Sequence, residues 1–126
     1  MLKNMSIRSA GNRNYYFQMI NPKIYPILSQ IKIYLTSLYQ ERLADLLLYG
    51  SQARGDAKPE SDIDILVILK DDKIDAWQEI DITSEFIANL CLHHSIVISR
   101  SFVSRQRFQT ENSPFFINVR REGISL

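Results

Sequence analysis

The segment Gly50-Ser51-Gln52-Ala53-Arg54-Gly55-Asp56-Ala57-Lys58-Pro59-Glu60-Ser61-Asp62-Ile63-Asp64-Ile65 decides the fold of this chain. One apolar run, Leu46 to Tyr49, leads into it and another, Ile65 to Leu69, leads out, so it reads as strand, glycine-bounded turn and strand. Asp62 and Asp64 stand two residues apart at the start of the second strand, where side chains at i and i+2 project from the same face. Two anions on one face repel each other unless a cation lies between them. Hard carboxylate oxygens placed in this way suit Mg²⁺, which takes one or two protein carboxylates and keeps its other positions for water and substrate phosphates. A phosphate site is therefore expected close by, and the turn can supply it. Gly50 lets backbone approach a ligand, Ser51 offers a hydroxyl and an N–H, and residues 51–54 suit a short helical turn whose free N–H groups attract anions. Arg54 has two roles open to it: a positive fork toward phosphate, or a bidentate hold on one of the aspartates.

Outward from this segment, helices and strands alternate. Asn21-Pro22 suits a cap and first-turn proline, and Ile24, Ile27, Leu28, Ile31, Leu35, Leu38 and Tyr39 follow at helical spacing. Leu43 to Tyr49 is predicted as the first strand and Asp62 to Leu69 as the second. The second is continuously apolar after its carboxylates, as expected of a central strand covered on both faces. Ile74, Trp77, Ile80, Phe86, Ile87 and Leu90 predict a second long helix. Ser95 to Val103 reads as a third strand, Ser104 to Phe108 as a polar helical turn, and Ser113-Pro114 as the cap of a last helix. The fold class expected is α/β (α+β), a small mixed β-sheet flanked by helices. Residues 1–18 have no clear period and read as a flexible leader, leaving 19–126 as one domain.

The Gly-Ser turn, then Ala-Arg-Gly-Asp-Ala, then Ser-Asp-x-Asp resembles the minimal nucleotidyltransferases of the DNA polymerase β superfamily. The likeness rests on Gly50, Ser51, Arg54, Gly55, Asp56, Ser61, Asp62 and Asp64, and the order of elements is compatible from about residue 20 to the C-terminus. It implies a polymerase β palm-like fold, with Gly50, Ser51, Arg54 and Ser61 toward the nucleotide and Asp62 and Asp64 as catalytic carboxylates that bind Mg²⁺. The implied reaction is transfer of a nucleoside monophosphate, AMP from ATP, to a hydroxyl acceptor. Small single-domain members of the family are often encoded beside a helical HEPN-domain protein and act as its antitoxin, in some cases by adding AMP to one of its tyrosines. The resemblance thus extends to a HEPN-type protein partner and a toxin–antitoxin role.

One departure from the family pattern bears on activity. Active members commonly carry a third carboxylate on the strand after the second helix. In this chain His93-His94-Ser95-Ile96-Val97-Ile98-Ser99-Arg100-Ser101-Phe102-Val103 contains no acid. His93 or His94 has the chemistry of a general base, and equally that of a helix-end cap on free carbonyls. Asp81, Glu85 and Glu111 fall on expected helices and are poor replacements, while Ser99 and Arg100 are placed to line the cleft. The alternative function is a catalytically weakened nucleotide- or partner-binding module.

Composition narrows the remaining classes. At 126 residues, 45% hydrophobic and 23% charged, the chain suits one ordinary globular core. A single cysteine, Cys91, rules out an intramolecular disulfide, which makes a reducing cytoplasm the expected compartment. No apolar run approaches the ~20 residues that cross a membrane, and the start lacks a signal peptide's apolar core. A net charge of +1 leaves no strong electrostatic footprint for nucleic acid. Phe108, Phe115 and Phe116 beside Arg120 and Arg121 suit either an interface or a helix that closes the sheet. Homo-oligomerisation is compatible with the sequence, which does not specify it.

Overall fold

The computed structural model describes residues 20–126; the expected leader, 1–18, lies outside them. Asn21 caps the chain's entry into structure, its side chain accepting from Lys23 N at 3.0 Å ahead of a single 3₁₀ turn, Pro22–Ile24. Helix α1, Tyr25–Tyr39, follows, and strand β1 is Leu43–Tyr49. One helical turn, α2, Ser51–Arg54, separates β1 from strand β2, Ile63–Leu69. Helix α3 is Ala76–His94, strand β3 Ile98–Ser104, helix α4 Arg105–Thr110, helix α5 Pro114–Glu122 and strand β4 Ile124–Ser125. Ser113, the cap expected from the sequence, starts α5 by accepting from Phe116 N, and Ser104 starts α4 in the same way by accepting from Arg107 N.

The sheet order is β3-β2-β1-β4, with β2 antiparallel to β1 and parallel to β3. β2 is therefore central, as its unbroken apolar run predicted, and six of its seven residues are buried. The alternation of strand side chains divides the core in two. Leu46, Leu48, Ile63, Ile65, Val67, Ile98 and Phe102 pack under α1 and α3, against Ile31, Leu35, Ile87 and Leu90. Leu47, Leu66, Ile68 and Val103 face the other way, onto Phe108, Phe116 and Val119 of α4 and α5. The mixed sheet with helices on both faces is the α+β architecture expected.

Several boundaries differ from the sequence reading: β2 opens at Ile63, which leaves Asp62 just ahead of the strand, and β3 runs on to Ser104. β3 begins at Ile98 rather than Ser95 because α3 runs on to His94, Ser95 turns left-handed with φ 51°, and Ile96 N returns to Cys91 O at 3.1 Å. Three residues of the expected strand are thereby spent on ending the helix. β4 was not foreseen, since a two-residue strand has no period to read. It is made by α5 delivering Ile124 and Ser125 to the free edge of β1, where they pair with Leu48 and Leu47. Arg120 is another departure. It is 7% exposed, and its guanidinium donates to the Phe108 and Glu111 carbonyls and to Asn112 Oδ1, satisfying the C-terminal end of α4. With Phe108 and Phe116 also buried, the last segment closes the sheet and leaves Phe115 as its exposed ring. Among the described residues no helix is long and apolar enough to cross a membrane.

Candidate active site

At the end of β1 the chain reverses through Gly50, whose φ of 77° and ψ of −159° suit a residue without a Cβ. Space imposes the same choice, because a Cβ at Gly50 would run into Asp64 Oδ2. The glycine that opens the turn thus lies directly against the carboxylate that the sequence placed on the next strand. Beyond it, Ala53 N and Arg54 N both bond to Gly50 O at 3.1 Å and close the α2 turn. The first N–H groups of such a turn, at Ser51 and Gln52, have no acceptor within it. Gly55, at φ 80°, ends it.

The loop that returns to β2 is held by two devices. Lys58 N donates to Ser61 Oγ at 2.8 Å while Ser61 N donates to Lys58 O at 2.9 Å. Gln52 Nε2 reaches across from α2 to Ser61 O at 3.2 Å, with the glutamine 4% exposed. Gln52 was not singled out in the sequence, where nothing distinguishes it from a surface glutamine. Its bond ties the turn and the start of the acidic strand into one unit. The Ser61 hydroxyl is engaged within the loop in this arrangement, so Ser61 shapes the approach to Asp62.

Asp62 is exposed and Asp64 half-buried, the one position in β2 that is not closed off. Burial pushes the Asp64 carboxyl above its ordinary value, the charge of Asp62 pushes it the same way, and Arg54 draws it partly back. Of the two roles open to Arg54, the structure shows neither aspartate of the pair as its ion-pair partner. Its Nε lies 3.3 Å from Asp56 Oδ2 and its Nη1 3.1 Å from Glu122 Oε1. Glu122 stands in the last turn of α5, where an acid opposes the helix dipole. That misplaced charge was a signal in the sequence that could have marked it as serving another element.

Asp64 is flanked across the sheet by Tyr49 on β1 and Ser99 on β3. Burial raises the Tyr49 hydroxyl's pKa, interactions with the Ser101 and Ser99 hydroxyls lower it, and the charge on Asp64 raises it. Phe115 stands edge-on to Tyr49, centroids 5.5 Å apart. Ser99 thus adjoins the site as expected, but Arg100 does not. Its side chain leaves by the opposite face, donating to Thr83 Oγ1 at 2.9 Å and Ile80 O at 2.8 Å on α3. His93 and His94 form an edge-on pair at the end of α3, centroids 4.8 Å apart, and that helix packs on the face away from Asp64.

Among the described residues no three His, Cys, Asp or Glu side chains gather as a metal site, so the donor set is the Asp62 and Asp64 pair. It fits one hard divalent cation. A cation between the two carboxylates would offset the like-charge repulsion that Asp64 now bears, and two carboxylates are what Mg²⁺ ordinarily takes from protein.

Comparison with known proteins places this geometry. A family model described as "Nucleotidyltransferase domain" matches residues 28–113, from within α1 to the cap of α5. The chain is 36% identical over 94 residues to "Putative protein adenylyltransferase MJ0604" of Methanocaldococcus jannaschii, a match spanning 71% of this chain and 83% of that protein. A second protein of the same organism, "Putative protein adenylyltransferase MJ0141", is 35% identical over 49 residues, 39% of this chain and 50% of the relative.

Proposed function

Since the chain belongs to the nucleotidyltransferase domain family, we propose that it transfers AMP from ATP to a hydroxyl on another protein. The observation that carries this reading is the contact of Gly50 with Asp64, which joins an anion-attracting turn to a carboxylate pair in one site. In the proposed reaction the acceptor oxygen attacks the α-phosphorus, the bond from that phosphorus to the α,β-bridging oxygen breaks, and pyrophosphate leaves. The hydroxyl proton passes to water.

Asp62 and Asp64 would hold Mg²⁺, which when bound supplies charge screening on the phosphates. The backbone at Gly50 and Ser51 grips the triphosphate, and fixed alignment of reacting groups is worth several kcal/mol, roughly 7–11 at its fullest. Arg54, held by Asp56 and Glu122, keeps a positive charge beside the site without neutralising Asp64 outright. Gln52 and Ser61 hold the loop so that Asp62 meets the turn. A protein acceptor is supported by the names of both relatives. The acceptor we favour is a tyrosine of a helical HEPN-type partner, in an antitoxin role. The absence of an acid from β3 favours a second reading, a module that binds nucleotide or partner without transfer.

ATP labelled on the α-phosphate, with Mg²⁺ and the co-purifying partner protein, tests the two. Label on a partner tyrosine is the expected outcome. Nucleotide binding with no label on any acceptor supports the module instead.

A further inference from the structure

The number of ions this site takes follows from the sheet register, given the nucleotidyl-transfer reading above. Tyr49, Asp64 and Ser99 form one row across β1, β2 and β3, and residues in such a row project from the same face. A third ligand supplied by the sheet beside Asp62 and Asp64 comes from this row or from its neighbour on β3, Ser101. Tyr49, Ser99 and Ser101 offer only neutral hydroxyls. Phe115 packs edge-on with the Tyr49 ring at one end of the row.

We infer that this chain holds a single divalent ion, on Asp62 and Asp64, and that Ser99 is the residue that sets the number at one. One dication balances two carboxylates. A second would meet only uncharged oxygens on β3, so no protein carboxylate beyond Asp62 and Asp64 is left to hold it beside the nucleotide's phosphates. Arg54, held at the end of the turn by Asp56 and Glu122, adds a fixed positive charge that opposes a second cation. Placing a carboxylate at Ser99 supplies that missing ligand at the β3 position adjoining Asp64.

The test is a count of bound Mn²⁺. The ion is titrated into the full chain carrying one equivalent of a non-hydrolysable ATP analogue, and the free-ion electron paramagnetic resonance signal reports what remains unbound. One ion per complex is expected for the wild type and for Ser99→Asn, and two for Ser99→Asp. Two ions in the wild type overturn the inference, as does a folded Ser99→Asp chain that still takes one. If Ser99→Asp fails to fold, the wild-type count decides alone. A chain that binds neither ion nor analogue overturns the transfer reading itself, an outcome distinct from a count of two.

Discussion

At one end of the β1/β2 pair Glu79, 6% exposed, accepts from the Tyr39 hydroxyl at 2.8 Å and from Arg42 Nη2 at 3.5 Å. Arg42 Nε also pairs with Asp71 at 3.0 Å, and its guanidinium lies over the Tyr39 ring. At the other end Asp64 is half-buried beside Asp62, and no donor among the described residues bonds to either carboxylate. Both ends carry acid at the rim of the same core. The first is satisfied from within, so its charge contributes to structure. The second is left in tension, its carboxyl pushed up by burial and by a like charge, and such tension belongs where a ligand is to complete the site.

The largest effect that can break this contrast is expected at the unsatisfied end. Asp64→Asn should lower label transfer by about 10²-fold or more, the loss of metal-assisted charge stabilisation, with an unchanged or higher melting temperature because a like-charge repulsion is removed. A folded Asp64→Asn chain with full transfer would erase the difference between the ends. Glu79→Ala should do the reverse. Removing a buried acceptor that serves two donors costs about 3 kcal/mol in denaturant unfolding, while transfer by the folded fraction stays at the wild-type rate. Should Glu79→Ala abolish transfer in folded chain, the network end would share in function.

Gly50→Ala sharpens the comparison by affecting both properties at once. The positive φ and the collision with Asp64 should cost roughly 1–3 kcal/mol, and transfer should fall because the displaced carboxylate no longer meets the turn. Thermal melts and transfer assays on one preparation would show whether the two losses travel together. Tyr39→Phe is the mildest, costing about 1 kcal/mol at neutral pH. Burial above all, then the bond to Glu79, raises the Tyr39 hydroxyl in the folded chain. Its contribution is whole below the ordinary tyrosine value of about 10. Above that pH the unfolded chain ionises first and stability falls. Melting temperatures from pH 9 to 11 should therefore decline less steeply in Tyr39→Phe than in the wild type, with a residual slope from Tyr49, which is also raised. Equal slopes would remove Tyr39 from the account.

Much of this is legible in the sequence. The limits of β1, the start of α5 and the α2 turn follow from local signals: an apolar run closed by glycine, a serine before a proline, and a glycine after four residues. Asp62 and Asp64 could be found because their chemistry and spacing lie within three residues of each other. The satisfied end was illegible, since Tyr39 and Glu79 are 40 residues apart and neither carries a mark of the other. Gln52, Arg120 and Arg100 were missed or misread for a related reason. A polar residue's local pattern does not say which carbonyl or hydroxyl it will meet.

From sequence alone come the family, the order of elements, the central place of β2 and the acidic pair, because each depends on periods and spacings that a chain carries along its own length. Tertiary structure decided that Gly50 presses on Asp64, that Arg54 pairs with Glu122 rather than with the aspartates, and that Ser99 shares a row with Asp64 while Arg100 turns away. Those outcomes depend on strand register and helix docking. A shift of one residue in register would exchange the two faces of a strand, and only packing of the whole core selects among such shifts.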